Sequence, residues 1–132
     1  MTRDIRISEY HNMKNDFPEV LFAYSEEIRL RIAMLVQNSE ICVNCLVAVL
    51  RLPQSTISRH VGIMRRANII KSERRGPNTY YSANIDNTDI GRLNKDLLKT
   101  YSNHLKNQEP FLSDRKNLVI QNDVCTVDCK VA

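Results

Sequence analysis

The chain has 132 residues, 42% of them hydrophobic and 26% charged, with a formal net charge of +4. That is one domain's worth, small enough for a second copy to help complete the core. No apolar run reaches the length of a membrane span and no charged-then-apolar leader opens the sequence, so a cytoplasmic protein with no membrane partner is expected.

Residues 1–14 are polar and mixed, with His11 standing alone, and read as a frayed arm. Asp16-Phe17-Pro18-Glu19 opens a helix, with Asp16 as cap and proline in the first turn. Phe17, Val20, Leu21 and Tyr24 form its apolar stripe. Ser25-Glu26-Glu27 starts a second helix, its acids set against the positive end of the dipole. Ile28, Leu30, Ile32, Ala33, Leu35 and Val36 make that helix apolar nearly all round, interrupted only by Arg29 and Arg31, as a central core helix is. Asn38-Ser39-Glu40 breaks the pattern. Ile41, Cys42 and Val43 then read as a short strand, and Asn44 as the N-cap of a short helix, Cys45–Leu50. Pro53 disfavours helix at Leu52 and so makes a turn.

The next stretch carries the densest signal. Ser55 is a candidate N-cap for a helix running to Asn68. Ile57, Val61, Ile63 and Met64 recur at helical spacing on one face. The other face offers Gln54, Thr56, Ser58, Arg59, His60, Arg65 and Arg66. Short hydrogen-bonding side chains near a helix start, with cations farther along, suit base-edge contacts and phosphate anchors in a DNA major groove. Ile69–Arg75 and Thr79–Ser82 flank Gly76-Pro77-Asn78 as a β-hairpin with a basic arm. Two helices joined by a turn and followed by a basic hairpin make a winged helix-turn-helix, a mainly α fold with a small β-hairpin.

Charge placement agrees. Between Arg51 and Arg75 stand seven Lys/Arg and one acid, Glu73. The window therefore carries +6 and leaves −2 for the remaining chain, an electrostatic footprint for nucleic acid. The expected partner is double-stranded operator DNA. Gln54, Ser55, Thr56, Ser58, Arg59 and His60 are placed at the groove, with Arg59 the best candidate for a guanine edge or phosphate. Arg74 and Arg75 are assigned to the wing.

Asn87-Thr88-Asp89 caps a further helix, along which Ile90, Leu93, Leu97, Tyr101 and Leu105 form one seam. A seam of that length needs cover, and a symmetric homodimer matches a palindromic operator. The domain is drawn over residues 1–106. Residues 107–132 change character and read as a partly helical extension with a mobile tip.

Four cysteines fall as two pairs, Cys42/Cys45 and Cys125/Cys129. Without an export signal they are expected as ligands or redox sites rather than as a disulfide framework. Cys42-Val43-Asn44-Cys45 has the CxxC form but follows no βαβ unit, which argues against a thioredoxin-like enzyme. It is half of a four-sulfur site for zinc, cadmium or lead if Cys125 and Cys129 complete the shell. It is an inducer site for a soft thiophilic ion if two or three thiolates gather at the helix-turn-helix. Oxidant or persulfide sensing by thiol–disulfide change is a further alternative.

The segments SEEIRLRIAMLV and EICVNCLVAVLRLPQSTISRHVGIMRRANIIKSERRGPNTYYS resemble the ArsR/SmtB family of bacterial metal-responsive repressors. The resemblance implies a transcriptional repressor, with the first and last helices making the dimer. It also implies release from DNA by an inducing ion. Arsenic-responsive members carry a run of the type ELCVCDLC, whose cysteines bind trivalent arsenic or antimony. Here the run is EICVNCLV. Cys42 matches the first cysteine, Asn44 and Val47 stand where the second and third would be, and Cys45 falls one place late. Arsenite or antimonite bound by Cys42 and Cys45 would take its third thiolate from Cys125 or Cys129. The family's other site, Asp, His and Glu on the last helix, is not matched, since Asp89 lacks its histidine and His104 is isolated.

Overall fold

The computed structural model describes residues 16–128, with side chains described as far as Asn122. His11 and Cys129 lie outside the described residues, as does the side chain of Cys125.

Helix α1 (Phe17–Ala23) starts under Asp16, whose carboxylate accepts the Glu19 N–H, with proline in the first turn as expected. Helix α2 (Glu27–Val36) begins two residues after Ser25. Its cap is Glu26, whose carboxylate accepts the N–H groups of Ile28 at 2.8 Å and Arg29 at 3.2 Å. A carboxylate that satisfies two orphan donors outcompetes a serine that satisfies one. The Ser25 hydroxyl instead donates back to the Phe22 carbonyl.

Strand β1 (Ile41–Cys42) leads directly into α3 (Val43–Leu50). The cap of α3 is Cys42, whose sulfur accepts the Cys45 N–H at 3.4 Å; Asn44 lies inside the first turn and is exposed. Arg51 then turns left-handed, at φ 57. Helix α4 (Gln54–Arg66) starts right after Pro53 without a side-chain cap, so Ser55 sits in its first turn rather than before it. The Pro53 carbonyl takes the N–H groups of Thr56 and Ile57, and its fixed φ lets the helix begin at the next residue. Helix α4 ends at Arg66, two residues short of Asn68. Asn68 adopts φ 64, and the N–H groups of Asn68 and Ile69 return to the carbonyls of Arg65 and Met64, the Schellman closure that a left-handed asparagine permits.

Strands β2 (Ile70–Arg75) and β3 (Asn78–Ala83) pair antiparallel, Arg75 opposite Asn78, across the two residues Gly76-Pro77. Gly76 has φ 59, the positive value a two-residue hairpin turn needs. Strand β1 adds to the other side of β3, so the wing is a three-stranded sheet of order β1-β3-β2.

Helix α5 (Asp89–Leu105) is capped by Thr88, whose hydroxyl accepts the Gly91 N–H. Gly91 is required here because a Cβ would collide with the main chain of Asp86. Of the apolar seam, Ile90 is buried, and Leu93, Leu97 and Tyr101 pack half-buried on the chain's own core, with Tyr101 edge-on to Tyr24. The extension is more regular than its sequence suggested. Residues Phe111–Asp128 form one helix, α6, packed on α2 and α3. Arg31 holds it by a two-pronged ion pair to the buried Asp114, both contacts 2.8 Å. That explains why Arg31 interrupts the apolar surface of α2.

The core lies where α2, α3, α4 and the sheet meet, with Ile32, Leu46, Ile57, Met64 and Ile69 fully buried. Asn94 of α5 is fully buried among them. Its amide nitrogen donates to the carbonyls of Ile69 and Asn84, each at 2.9 Å, and its oxygen accepts the Tyr24 hydroxyl. Asn84 extends the network by donating to the Asn68 carbonyl. Burial pushes the Tyr24 hydroxyl well above its ordinary pKa, so it remains a donor at any working pH. Replacing Asn94 by alanine takes the partner from the Asn84 carbonyl and the Tyr24 hydroxyl, while the Ile69 carbonyl keeps the Asn84 N–H at 3.0 Å. The Asn94→Ala variant is expected to lose about 2–3 kcal/mol of stability in a urea titration.

Candidate nucleic-acid interface and cysteine site

Helix α4 separates its two faces by helical spacing. Ile57, His60, Val61 and Met64, at i, i+3, i+4 and i+7, turn inward and are buried. Gln54, Ser55, Ser58 and Arg59 are exposed together on the first two turns, Thr56 is half-buried at their edge, and Arg65 and Arg66 are exposed in the last turn. Five of the six residues placed at the groove thus reach the outer face or its edge. His60 does not. It is 7% exposed, and its Nδ1 accepts from Arg29 Nη1 at 3.2 Å and lies 3.8 Å from the Glu26 carboxylate. The assignment of His60 to DNA is therefore corrected: it sits three residues after Ile57 and one before Val61, on the core side. Burial holds its pKa below the ordinary histidine value, against the opposing pull of Glu26.

On the wing, Lys71 and Arg74 are exposed. Arg75 is exposed too but engaged: it pairs with Glu40 at 2.6 Å, lies 3.6 Å from Glu73, and stacks 3.9 Å over the Tyr80 ring. Sequence reasoning missed the Glu40 contact, since 35 residues separate the partners. Only the addition of β1 to the sheet brings them together.

The cysteine site lies at the head of α3. Cys42 and Cys45 are both 2% exposed, with sulfurs 3.1 Å apart. The CxxC spacing is also the spacing from an N-cap to the third residue of a helix, so the geometry that caps α3 sets the two sulfurs side by side. Neither is a free thiol, which departs from the expectation that they remain reduced, but they are not bonded to each other, since 3.1 Å is well beyond the ~2.05 Å of an S–S bond. Cys125 falls in α6, the helix packed on α3. Among the described residues no group of three or more His, Cys, Asp or Glu side chains gathers to hold a metal. His104 is exposed on α5. No described helix is long and apolar enough to cross a membrane.

An exposed polar helix face, a basic hairpin beside it and a buried first helix describe a winged helix-turn-helix. A family model described as "Bacterial regulatory protein, arsR family" matches residues 26–72, from the cap of α2 to the first half of β2. The HTH-type transcriptional regulator YbzH of Bacillus subtilis is 35% identical over an alignment of 97 positions that covers 62% of this chain and 94% of that protein. The chain belongs to the arsR family. This ArsR-family regulator is also 35% identical over 77 residues to the transcriptional repressor PagR of Bacillus anthracis, covering 58% of the chain and 76% of PagR. Among solved structures it is similar to NolR from Sinorhizobium fredii, with a TM-score of 0.57, 22% identity, and coverage of 80% of this chain and 93% of NolR. The fold is thus that of a winged helix-turn-helix, and the protein is a DNA-binding transcriptional regulator, as its relatives are.

Within this ArsR-family regulator, Arg59 projects from the centre of the exposed face of α4, whereas Arg92 is paired to Asp89 at the start of α5. Arg59→Ala is expected to weaken binding to a duplex covering the protein's own promoter by about 1–3 kcal/mol, the worth of a base or phosphate contact. Arg92→Ala should leave the same gel-shift titration essentially unchanged.

Proposed function

We propose that this regulator is a homodimeric, cytoplasmic repressor that leaves its operator when the cysteines at the head of α3 change their bonding. The observation that carries the reading is the double role of Cys42. Its sulfur caps the first helix of the DNA-binding motif and touches Cys45. Any reaction at that sulfur alters the cap, and α3 packs directly against α4. A small displacement of α4 suffices, because two half-sites must be read in register.

Two signals fit this placement. Oxidation of thiols to a disulfide is favoured by the contact of the Cys42 and Cys45 sulfurs, 3.1 Å apart. In that reaction two thiols give two electrons and two protons to a peroxide, which leaves as two waters. Trivalent arsenic or antimony is favoured by the adjacency of the two sulfurs and by the packing of α6, which carries Cys125, on α3; it would act on the reduced protein. Cadmium, lead or zinc would need a four-sulfur shell including Cys129. For the dimer, support comes from Leu21 and Phe22 on α1, 59% and 58% exposed, and from a helix α5 whose seam is only partly covered by its own domain. A two-fold pair would present two α4 helices to successive major grooves.

Titrating the reduced protein on its promoter duplex with arsenite, antimonite, cadmium, zinc and peroxide tests the reading. One class of reagent is expected to release the wild type, with a coupling of about 1–3 kcal/mol. Cys42→Ser should bind DNA normally and resist release. Release of the serine variant at the wild-type dose would show that the signal enters elsewhere.

A further inference from the structure

The inward-facing His60 belongs to a buried polar junction that the DNA-reading face does not use. Arg29, 5% exposed on α2, sends its guanidinium in three directions. Nε donates to the Ala23 carbonyl at 2.8 Å and Nη2 to the Phe22 carbonyl at 3.3 Å, both at the end of α1. Nη1 donates to His60 Nδ1, on the recognition helix, at 3.2 Å. The guanidinium also lies 5.3 Å from the centre of the Phe22 ring. One side chain therefore ties α1, α2 and α4 together. We propose that Arg29 is a positioning residue that holds α4 at its DNA-reading angle, and that its contact requires a neutral His60, so that operator affinity falls with acid. The inference rests on α4 being the helix that reads DNA.

The chemistry follows from the donor count. A guanidinium only donates, so Nδ1 must accept and the ring proton must sit on Nε2. Protonation puts a second N–H at Nδ1, directed at a cation 3.2 Å away. The Arg29 contact then becomes repulsive, and the Glu26 carboxylate stands 3.8 Å from Nδ1 as an acceptor. Glu26 is the cap of α2 and already accepts two N–H groups there. An acid-driven exchange of partners would thus draw the recognition helix away from Arg29 and toward the start of α2.

The charged groups acting on the ring are Glu26 and Arg29 from α2 and Arg59 from its own helix. Helix α1 meets the junction with the Phe22 and Ala23 carbonyls and the Phe22 ring and adds no charge to that set, α3 carries no charged side chain between Val43 and Leu50, and β2 adds none to it either. Burial, Arg29 and Arg59 disfavour the charged ring and Glu26 favours it, with a net downward shift. The neutral form is therefore the folded form at neutral pH. Its stabilising contribution is complete above the ordinary histidine range and is lost as pH falls through the lowered folded value.

The test is operator affinity of the full chain, measured on its own promoter duplex across pH, with a thermal melt of each variant. Wild-type affinity should drop about tenfold between about pH 7.5 and about pH 5.5, against the general rise in positive charge that acid brings. His60→Asn places a carbonyl oxygen where Nδ1 stood and cannot titrate. It should keep the affinity seen at neutral pH and flatten the profile. Arg29→Met should bind weakly at every pH, with Arg29→Lys intermediate. A wild-type slope retained in His60→Asn, with both proteins melting alike, would overturn the proposal, as would a flat wild-type profile. If Arg59→Ala binds as tightly as wild type, then α4 does not read DNA, and the failure is of that premise rather than of the Arg29–His60 contact.

Discussion

The structure depends on a single buried amide. Asn94 of α5 is sealed from solvent and satisfies two main-chain carbonyls and the Tyr24 hydroxyl at once. Those partners stand at the end of the α4 closure, at the start of the link into α5, and just beyond α1. The direction of the recognition helix, the departure of the wing and the placement of the long fifth helix are therefore coupled through one side chain. An apolar residue would fill the space and leave the Asn84 carbonyl and the Tyr24 hydroxyl without this partner, which is costly in a low-dielectric interior.

The second organising feature is the head of α3. A cysteine is an unusual N-cap, since sulfur is a weaker acceptor than a hydroxyl or carboxylate oxygen. What sulfur adds is reactivity: it titrates, oxidises and binds soft ions. Placing that atom at the cap sets it on the first helix of the DNA-binding motif itself. Helix α6 covers the same helix and is tied to α2 by the Arg31–Asp114 pair. The extension thus packs on both of those helices.

Much of the local structure was legible in the residues. The Asp16 cap, the Thr88 cap, the turn at Pro53 and the hairpin about Gly76-Pro77 all rest on short-range chemistry, and all appear where that chemistry puts them. Boundaries shifted where two capping groups competed. Glu26 displaced Ser25 because it satisfies two donors, and Cys42 displaced Asn44 because β1 ends there with an extended backbone. His60 was misplaced because a histidine between Arg59 and Val61 looks polar in one dimension, although its helical phase puts it with Ile57 and Met64. The extension looked irregular because its apolar residues are scattered: Phe111, Leu112 and Leu118 are half-buried in a helix packed on α2 and α3, while Val119 and Ile120 stay exposed.

The sequence by itself determined the class of molecule: a basic helix and ribbon after a buried helix specify a DNA-binding wing, because periodicity and charge are local properties of the chain. It also determined that the cysteines lie at the motif, since Cys42 and Cys45 are adjacent to it in sequence. Only the tertiary structure decided which charges remain available at the surface. Arg29, Arg31 and Arg75 read alike along the chain, yet each is paired to groups on other elements. Those partners are brought close only when the helices and the third strand pack, and no short-range rule contains that distance.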